Sequence, residues 1–218
     1  MADASYIHQF EEFLREKCRQ KLEELAEFYP KKSSLEIDYA ELDKFSPDLA
    51  DDLLDNPDEV LSASEEAVKG IGVIDGRGEV VAPSVRFFNL PDTHRLLIRD
   101  INSSFINKLI SVEGVITKIT DVRPKVELGV FECVHCGNVY RVPQPKELYG
   151  KLLEPSQCTC QRKSFKLNLE ECIFTDMQKM QIQEPLEALV RGEQAKFIDV
   201  WLEGDLTNKL FPGDKVVV

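Results

Sequence analysis

No stretch of this 218-residue chain approaches the ~20 consecutive apolar residues that cross a bilayer as a helix. A membrane-spanning role is therefore not expected. No secretory signal is recognisable either, so the expected setting is cytoplasmic or nuclear, where thiols stay reduced. Asn102-Ser103-Ser104 fits the glycosylation sequon, but in that setting it is a chance match. The phosphate-loop pattern G-x-x-x-x-G-K-[ST] is missing throughout. Gly70-Ile71-Gly72 with Gly76 and Gly78 does not have the G-x-G-x-x-G spacing, and a hairpin turn around Asp75-Gly76 accounts for it better. A basic excess is also missing, since the net charge is −12. Divided, however, the charge is uneven. Residues 1–92 hold 22 acidic against 10 basic side chains, whereas residues 93–218 hold 17 of each. The second part can present a local basic surface, and the shift marks a boundary near Pro91.

Four of the six cysteines form two short pairs. Cys133 and Cys136 make a C-x2-C knuckle, and Cys158 and Cys160 make a tighter C-x-C pair after 21 intervening residues. Two such pairs can each supply two corners of one tetrahedral Zn²⁺ site. Gly137 follows the first pair where the turn favours a positive φ. Four thiolates leave no open coordination position, so the metal is expected to be structural rather than catalytic. Disulfides or free thiols are the alternative, and His135 is a poorer ligand candidate that reads as an exposed knuckle residue. Cys18 and Cys172 fall outside the pairs and read as small buried hydrophobes.

Residues 4–29 carry one helical stripe through Phe10, Phe13, Leu14, Cys18, Leu22, Leu25 and Phe28, stopped by Pro30. Leu35, Ile37 and Tyr39 alternate as in a short strand. Ser46-Pro47 opens a helix that buries Leu49, Leu53 and Leu54, and another follows Asn56-Pro57 and ends at Gly70. From Leu96 the period is two. Val112, Gly114 and Ile116 share one face, Val126 to Phe131 leads into the first knuckle, and Phe165, Leu167 and Leu169 leave the second. Phe197 to Leu202 is a further strand, in which Phe197 and Trp201 are expected to face the core. Residues 183–195 read as a long loop. The class is therefore α+β: an acidic helical part over residues 1–92, an OB-type barrel over 93–130 and 165–218, and a zinc module over 131–164. The pattern stops within a strand at Val216–Val218, as in a fragment of a longer protein.

At this point the residues resemble a known family. Leu35-Glu36-Ile37-Asp38-Tyr39, Val85 to Pro91, Val112 to Thr117, Val122-Arg123-Pro124, the four cysteines, Gln183-Glu184-Pro185 and Pro212-Gly213-Asp214 are similar, in order and rough spacing, to the N-terminal region of minichromosome maintenance (MCM) replicative helicases, archaeal ones especially. The resemblance implies a region that binds single- and double-stranded DNA, organises hexamers or double hexamers and meets other replication proteins. ATP and Mg²⁺ belong to an ATPase domain not contained in these residues. The loop resembling 183–195 is implicated in communication with that domain. Single-strand contacts implied by the resemblance fall on Arg123 and Lys196. Leu128 and Gln181 stand at two other basic positions, where Lys125 and Lys179 are near enough to substitute. The expected recognition is dominated by the phosphate backbone. Other readings of the same residues are a free-standing zinc-ribbon/OB adaptor for RNA or protein, and a metal-dependent hydrolase.

Overall fold

The computed structural model describes residues 4–29, 32–76, 78–81, 83–145, 151–185, 187 and 194–218. They fall into two compact units. One comprises Met1–Val115, Ile182–Ile198 and Gly213–Val218; the other comprises Ile116–Gln181 and Asp199–Pro212.

The helix expected over residues 4–29 is two helices, α1 (Ala4–Lys17) and α2 (Arg19–Phe28). Cys18 departs from helical geometry, with φ −110° and ψ 10°. Its N–H still bonds the Leu14 carbonyl at 3.0 Å, and its own carbonyl accepts from Leu22 N–H at 2.9 Å. The break is thus a bend that interrupts the helix but keeps both backbone hydrogen bonds of Cys18. A bend of this kind leaves the 3.6-residue repeat intact on both sides, which is why periodicity does not reveal it. Phe10, Phe13 and Leu14 before it and Leu22 and Leu25 after it all enter one core, with Cys18 fully enclosed. Pro30 lies outside the described residues; α2 already ends at Phe28.

Strand β1 (Ser34–Asp38) leads directly into α3 (Tyr39–Phe45), where the Asp38 carboxylate caps the helix by accepting from Ala40 N–H at 3.0 Å. Ser46 and Pro47 open α4 (Pro47–Asp55) as expected, with the Ser46 hydroxyl accepting from Leu49 N–H. Helix α5 (Pro57–Ile71) runs one residue past the predicted stop. Gly72, at φ +71°, makes the left-handed exit, while Gly70 stays within the helix, close to the Glu11 carboxylate. The Asp75-Gly76 hairpin forms, joined by an antiparallel bridge between Ile74 and Val80. Strand β2 (Ser84–Phe88) then lies parallel to β1, in register from Ser34 opposite Ser84 to Asp38 opposite Phe88.

The remaining strands are β3 (Arg95–Leu96), β4 (Ser111–Ile119), β5 (Arg123–Cys133), β6 (Val139–Pro143), β7 (Phe165–Leu167), β8 (Ile173–Gln183), β9 (Phe197–Glu203) and β10 (Lys215–Val217). Among the described residues they form an OB-like sheet in the order β10-β4-β8-β5-β6, with β3 beside β4, β7 beside β5 and β9 beside β8. The α+β class is as expected. On β4 the alternation buries Val112, Gly114 and Ile116. Gly114 owes its identity to crowding: an added Cβ would stand 2.9 Å from the Gln183 carbonyl oxygen and 3.2 Å from Ile182 Cβ. Gly114→Ala is therefore expected to cost about 1–3 kcal/mol by overpacking. Urea unfolding followed by circular dichroism checks this, and an unshifted midpoint would show that the strands separate freely. Leu169, predicted to continue the alternation after the second knuckle, lies beyond β7 and is exposed.

Candidate metal centre and nucleic-acid groove

The first knuckle is the turn between β5 and β6. Cys133 N–H bonds the Asn138 carbonyl at 2.9 Å, and Gly137 N–H returns to the Cys133 carbonyl at 2.9 Å. Gly137 takes φ +72°, the conformation its position called for. The second knuckle is shorter by one residue. Its turn closes through Gln161 N–H to the Cys158 carbonyl at 2.8 Å and Cys158 N–H to the Arg162 carbonyl at 2.9 Å. Gln161, at φ +65°, takes the left-handed position that glycine fills in the first. The C-x-C spacing is thus accommodated by a tighter turn.

These turns bring the four sulfurs together. The Sγ atoms of Cys133, Cys136, Cys158 and Cys160 all lie within 4.8 Å of one another, and the four can hold a metal ion. Across the knuckles, Cys133 is 3.7 Å from Cys160 and Cys136 is 3.3 Å from Cys158. The Tyr140 hydroxyl donates to Cys158 Sγ at 3.3 Å and is the main reason the Cys158 thiol is lowered to about 5, with the Cys160 backbone N–H assisting. Tyr140 is itself held edge-on against Phe165, with ring centroids 5.7 Å apart. His135 is exposed, with Nδ1 2.9 Å from Arg162 Nη1, and is not part of the cluster. Cys18 is buried as expected. Cys172 is not a simple hydrophobe: half-buried, it donates to the Asn168 carbonyl and accepts from Val130 N–H.

A groove of about 520 Å³ opens on the unit that carries the cysteines, lined by Arg123, Lys125, Lys151, Lys179 and Trp201 together with Pro124, Val126, Leu152 and Met177. Three of the four cations chosen from the sequence therefore converge. Strand pairing explains it, since Arg123 lies opposite Met177 and Lys125 opposite Thr175 on β5 and β8, and β9 runs beside β8. Two of the cations are held by carboxylates. Lys125 Nζ lies 2.6 Å from Glu203, and Lys179 Nζ lies 2.7 Å from Asp199, whose carboxyl that lysine holds below its ordinary range. Among the described residues, no carboxylate pairs with Arg123 or Lys151. Lys196 belongs to the other unit and does not line this groove.

Two groove residues were not expected there from the sequence. Lys151 sits inside the cysteine module, where no local pattern marks it. Its segment is pinned by Gln144, whose side-chain amide donates to the Leu153 carbonyl at 3.1 Å and accepts from Leu153 N–H at 2.7 Å. Trp201 corrects an expectation. It is 37% exposed and Phe197 53% exposed, while Leu202 is buried at 4%. An apolar strand shows its two faces by alternation but not which one meets the core, and on β9 the face carrying Phe197, Asp199 and Trp201 points outward. Lys179 Nζ stands 5.3 Å from the Trp201 ring centroid.

The other unit contains one buried charge cluster built on Gln183-Glu184-Pro185. The Glu184 side chain is fully enclosed and accepts from Arg99 N–H at 2.8 Å, from Arg99 Nε at 3.1 Å and from Arg99 Nη2 at 3.0 Å. Lys196 N–H also approaches it, at 3.4 Å. Burial pushes the carboxyl up, but the Arg99 and Lys196 donors outweigh burial and hold it below its usual range. Most of the loop expected over 183–195 lies outside the described residues. No helix of the described residues is long and apolar enough to cross a membrane.

Comparison with known proteins agrees with this geometry. Residues 7–89 match the family model of the MCM N-terminal domain, and residues 97–218 match that of the MCM OB domain. The chain is 33% identical over 135 residues to DNA replication licensing factor MCM6 of Oryza sativa subsp. indica, covering 62% of this chain and 16% of that protein. It is 29% identical over 195 residues to the minichromosome maintenance protein MCM of Saccharolobus solfataricus, covering 86% of this chain and 28% of that protein. The chain thus spans less than a third of the length of these relatives. A crystal structure of the N-terminal domain of an archaeal MCM superposes with a TM-score of 0.77 at 27% identity, covering 98% of this chain and 86% of that one. Matched by both domain models and by this fold, the chain belongs to the minichromosome maintenance (MCM) family, over the family's N-terminal region.

Proposed function

We propose that this chain is the non-catalytic, DNA-engaging and ring-organising N-terminal region of a replicative helicase, and that its cysteine cluster holds one structural Zn²⁺. The groove carries the first half of this reading, because four cations surround it on an OB-like sheet in a chain whose overall charge is acidic. Phosphates gain affinity there by counterion release. The donor set supports zinc: a tetrahedron with Zn–S bonds of about 2.3 Å has sulfurs about 3.8 Å apart, close to the 3.7 Å and 3.3 Å separations across the knuckles. When bound, the metal cross-links the two knuckles and supplies no reactive position. Family membership supports assembly into hexamers or double hexamers, contact with double-stranded DNA and other replication proteins, and ATP-driven unwinding with Mg²⁺ elsewhere in the full protein. It also supports a cytoplasmic or nuclear setting.

The test is single-strand binding across a salt series, read by anisotropy of a labelled oligonucleotide, with sedimentation reporting assembly. Each phosphate contact on a single strand contributes about 0.7 to the slope of log K against log salt. Arg123→Ala combined with Lys151→Ala, which removes two groove cations, is expected to weaken binding similarly for all sequences and to flatten that slope by about 1.4. A double variant with the wild-type slope and affinity would show that DNA takes another route.

A further inference from the structure

A surface that reads only phosphates needs cations and little else. This groove has more. Pro124, Val126, Leu152 and Met177 give it apolar walls, and the indole of Trp201 stands among them, 37% exposed. Its volume of about 520 Å³ lies within the ~300–1,000 Å³ typical of small-ligand pockets. The indole is also fixed in place. Asp199 holds the Lys179 ammonium at 2.7 Å, and that ammonium sits 5.3 Å from the ring centroid. At the rim, Arg123 and Lys151 have no carboxylate partner among the described residues. A flat aromatic wall beside unpaired cations matches one chemistry: a planar uncharged ring joined to a phosphate.

We propose that Trp201 is a base-binding surface, against which one nucleobase of single-stranded DNA packs in this groove while its neighbouring phosphates meet Arg123 and Lys151. The inference rests on the DNA-binding reading above and deepens it, because recognition then includes the bases and not the backbone alone. Base–aromatic stacking tolerates any base, since each has a π-face, so broad sequence tolerance is retained. An acidic peptide would satisfy the cations but gain nothing from the apolar walls. A segment of a second copy of the chain would show itself in concentration dependence.

Trp201 is the only tryptophan of the chain, so its emission reports the groove directly. The intact chain is titrated at low salt with oligo(dT), with an abasic deoxyribose-phosphate chain of the same length, and with poly-glutamate. Oligo(dT) is expected to quench the emission saturably, whereas the abasic chain binds more weakly and leaves it unchanged. Trp201→Ala, measured by anisotropy, is expected to weaken oligo(dT) binding about tenfold without altering abasic-chain affinity. Trp201→Phe retains most of the oligo(dT) affinity, which separates a lost ring from a damaged fold. Oligo(dT) that binds with unchanged emission, or an equal loss for both chains in Trp201→Ala, overturns the base contact. If Arg123→Ala still flattens the salt slope in that case, the DNA-binding reading stands. Equal quenching by poly-glutamate assigns the groove to any polyanion, and emission that changes with protein concentration alone assigns it to a second copy; either outcome overturns the proposal. If oligo(dT) does not bind at all, both readings fall.

Discussion

Cys136→Ser is expected to strip the metal from the chain and unfold both knuckles, while the helical unit stays intact. The second knuckle has little else to hold it. Cys136 and Cys160 are exposed, and among the described residues the second knuckle makes no strand and is tied to the first by the Tyr140 and Asn138 side chains. Metal binding in such modules is folding energy, an apparent ~10–16 kcal/mol for structural zinc, comparable with the ~5–15 kcal/mol that stabilises a whole domain. By contrast, Phe10, Phe13, Leu25, Leu42 and Leu53 form a helical core with no dependence on the sulfurs. Chelation of the wild type should therefore reproduce the variant. The measurements are metal content by mass spectrometry and a thermal melt followed at helical and aromatic wavelengths. A wild type that carries no metal and melts identically with and without chelator would contradict the centre.

Breaking the Glu184 cluster is the second large effect. Glu184→Ala leaves the Arg99 guanidinium, 23% exposed, facing a void where a carboxylate accepted two of its donors and the Arg99 backbone N–H as well. Removing one partner of a buried ion pair costs about 3–5 kcal/mol, and the low end applies because Arg99 retains some solvent. The pH dependence has a definite sign. The folded carboxyl is held below its ordinary value, so its contribution is fully present above the unfolded value and is lost as pH falls through the lower, folded one. Wild-type stability should therefore decline below about pH 4.3 more steeply than that of Glu184→Gln, whose side chain does not titrate. Denaturant midpoints collected across that window would reveal the difference, and parallel curves for the two proteins would show that Glu184 contributes no linked stability.

Local chemistry made much of this chain legible in advance. The Ser46-Pro47 helix start, the β1 strand and the Asp75-Gly76 hairpin each depend on a few neighbouring residues, and each formed. The bend at Cys18 did not show, because both segments keep the same helical repeat. Gly70 looked like a helix stop, yet the helix runs on to Ile71 and the left-handed exit falls on Gly72.

The sequence by itself determined the α+β class, the four-sulfur set and three of the four groove cations, because ligand type, spacing and alternation are properties of short segments. Only the tertiary structure decided the rest. Pairing of β5 with β8 brought Arg123, Lys125 and Lys179 to one groove, and carboxylates from β9 then took up two of the three. Folding of the cysteine module carried Lys151 into the same groove. Which face of β9 meets solvent also depended on its neighbours, and it turned Trp201 from an expected core residue into a wall of the groove. A strand's alternation fixes two faces; packing against other strands chooses between them.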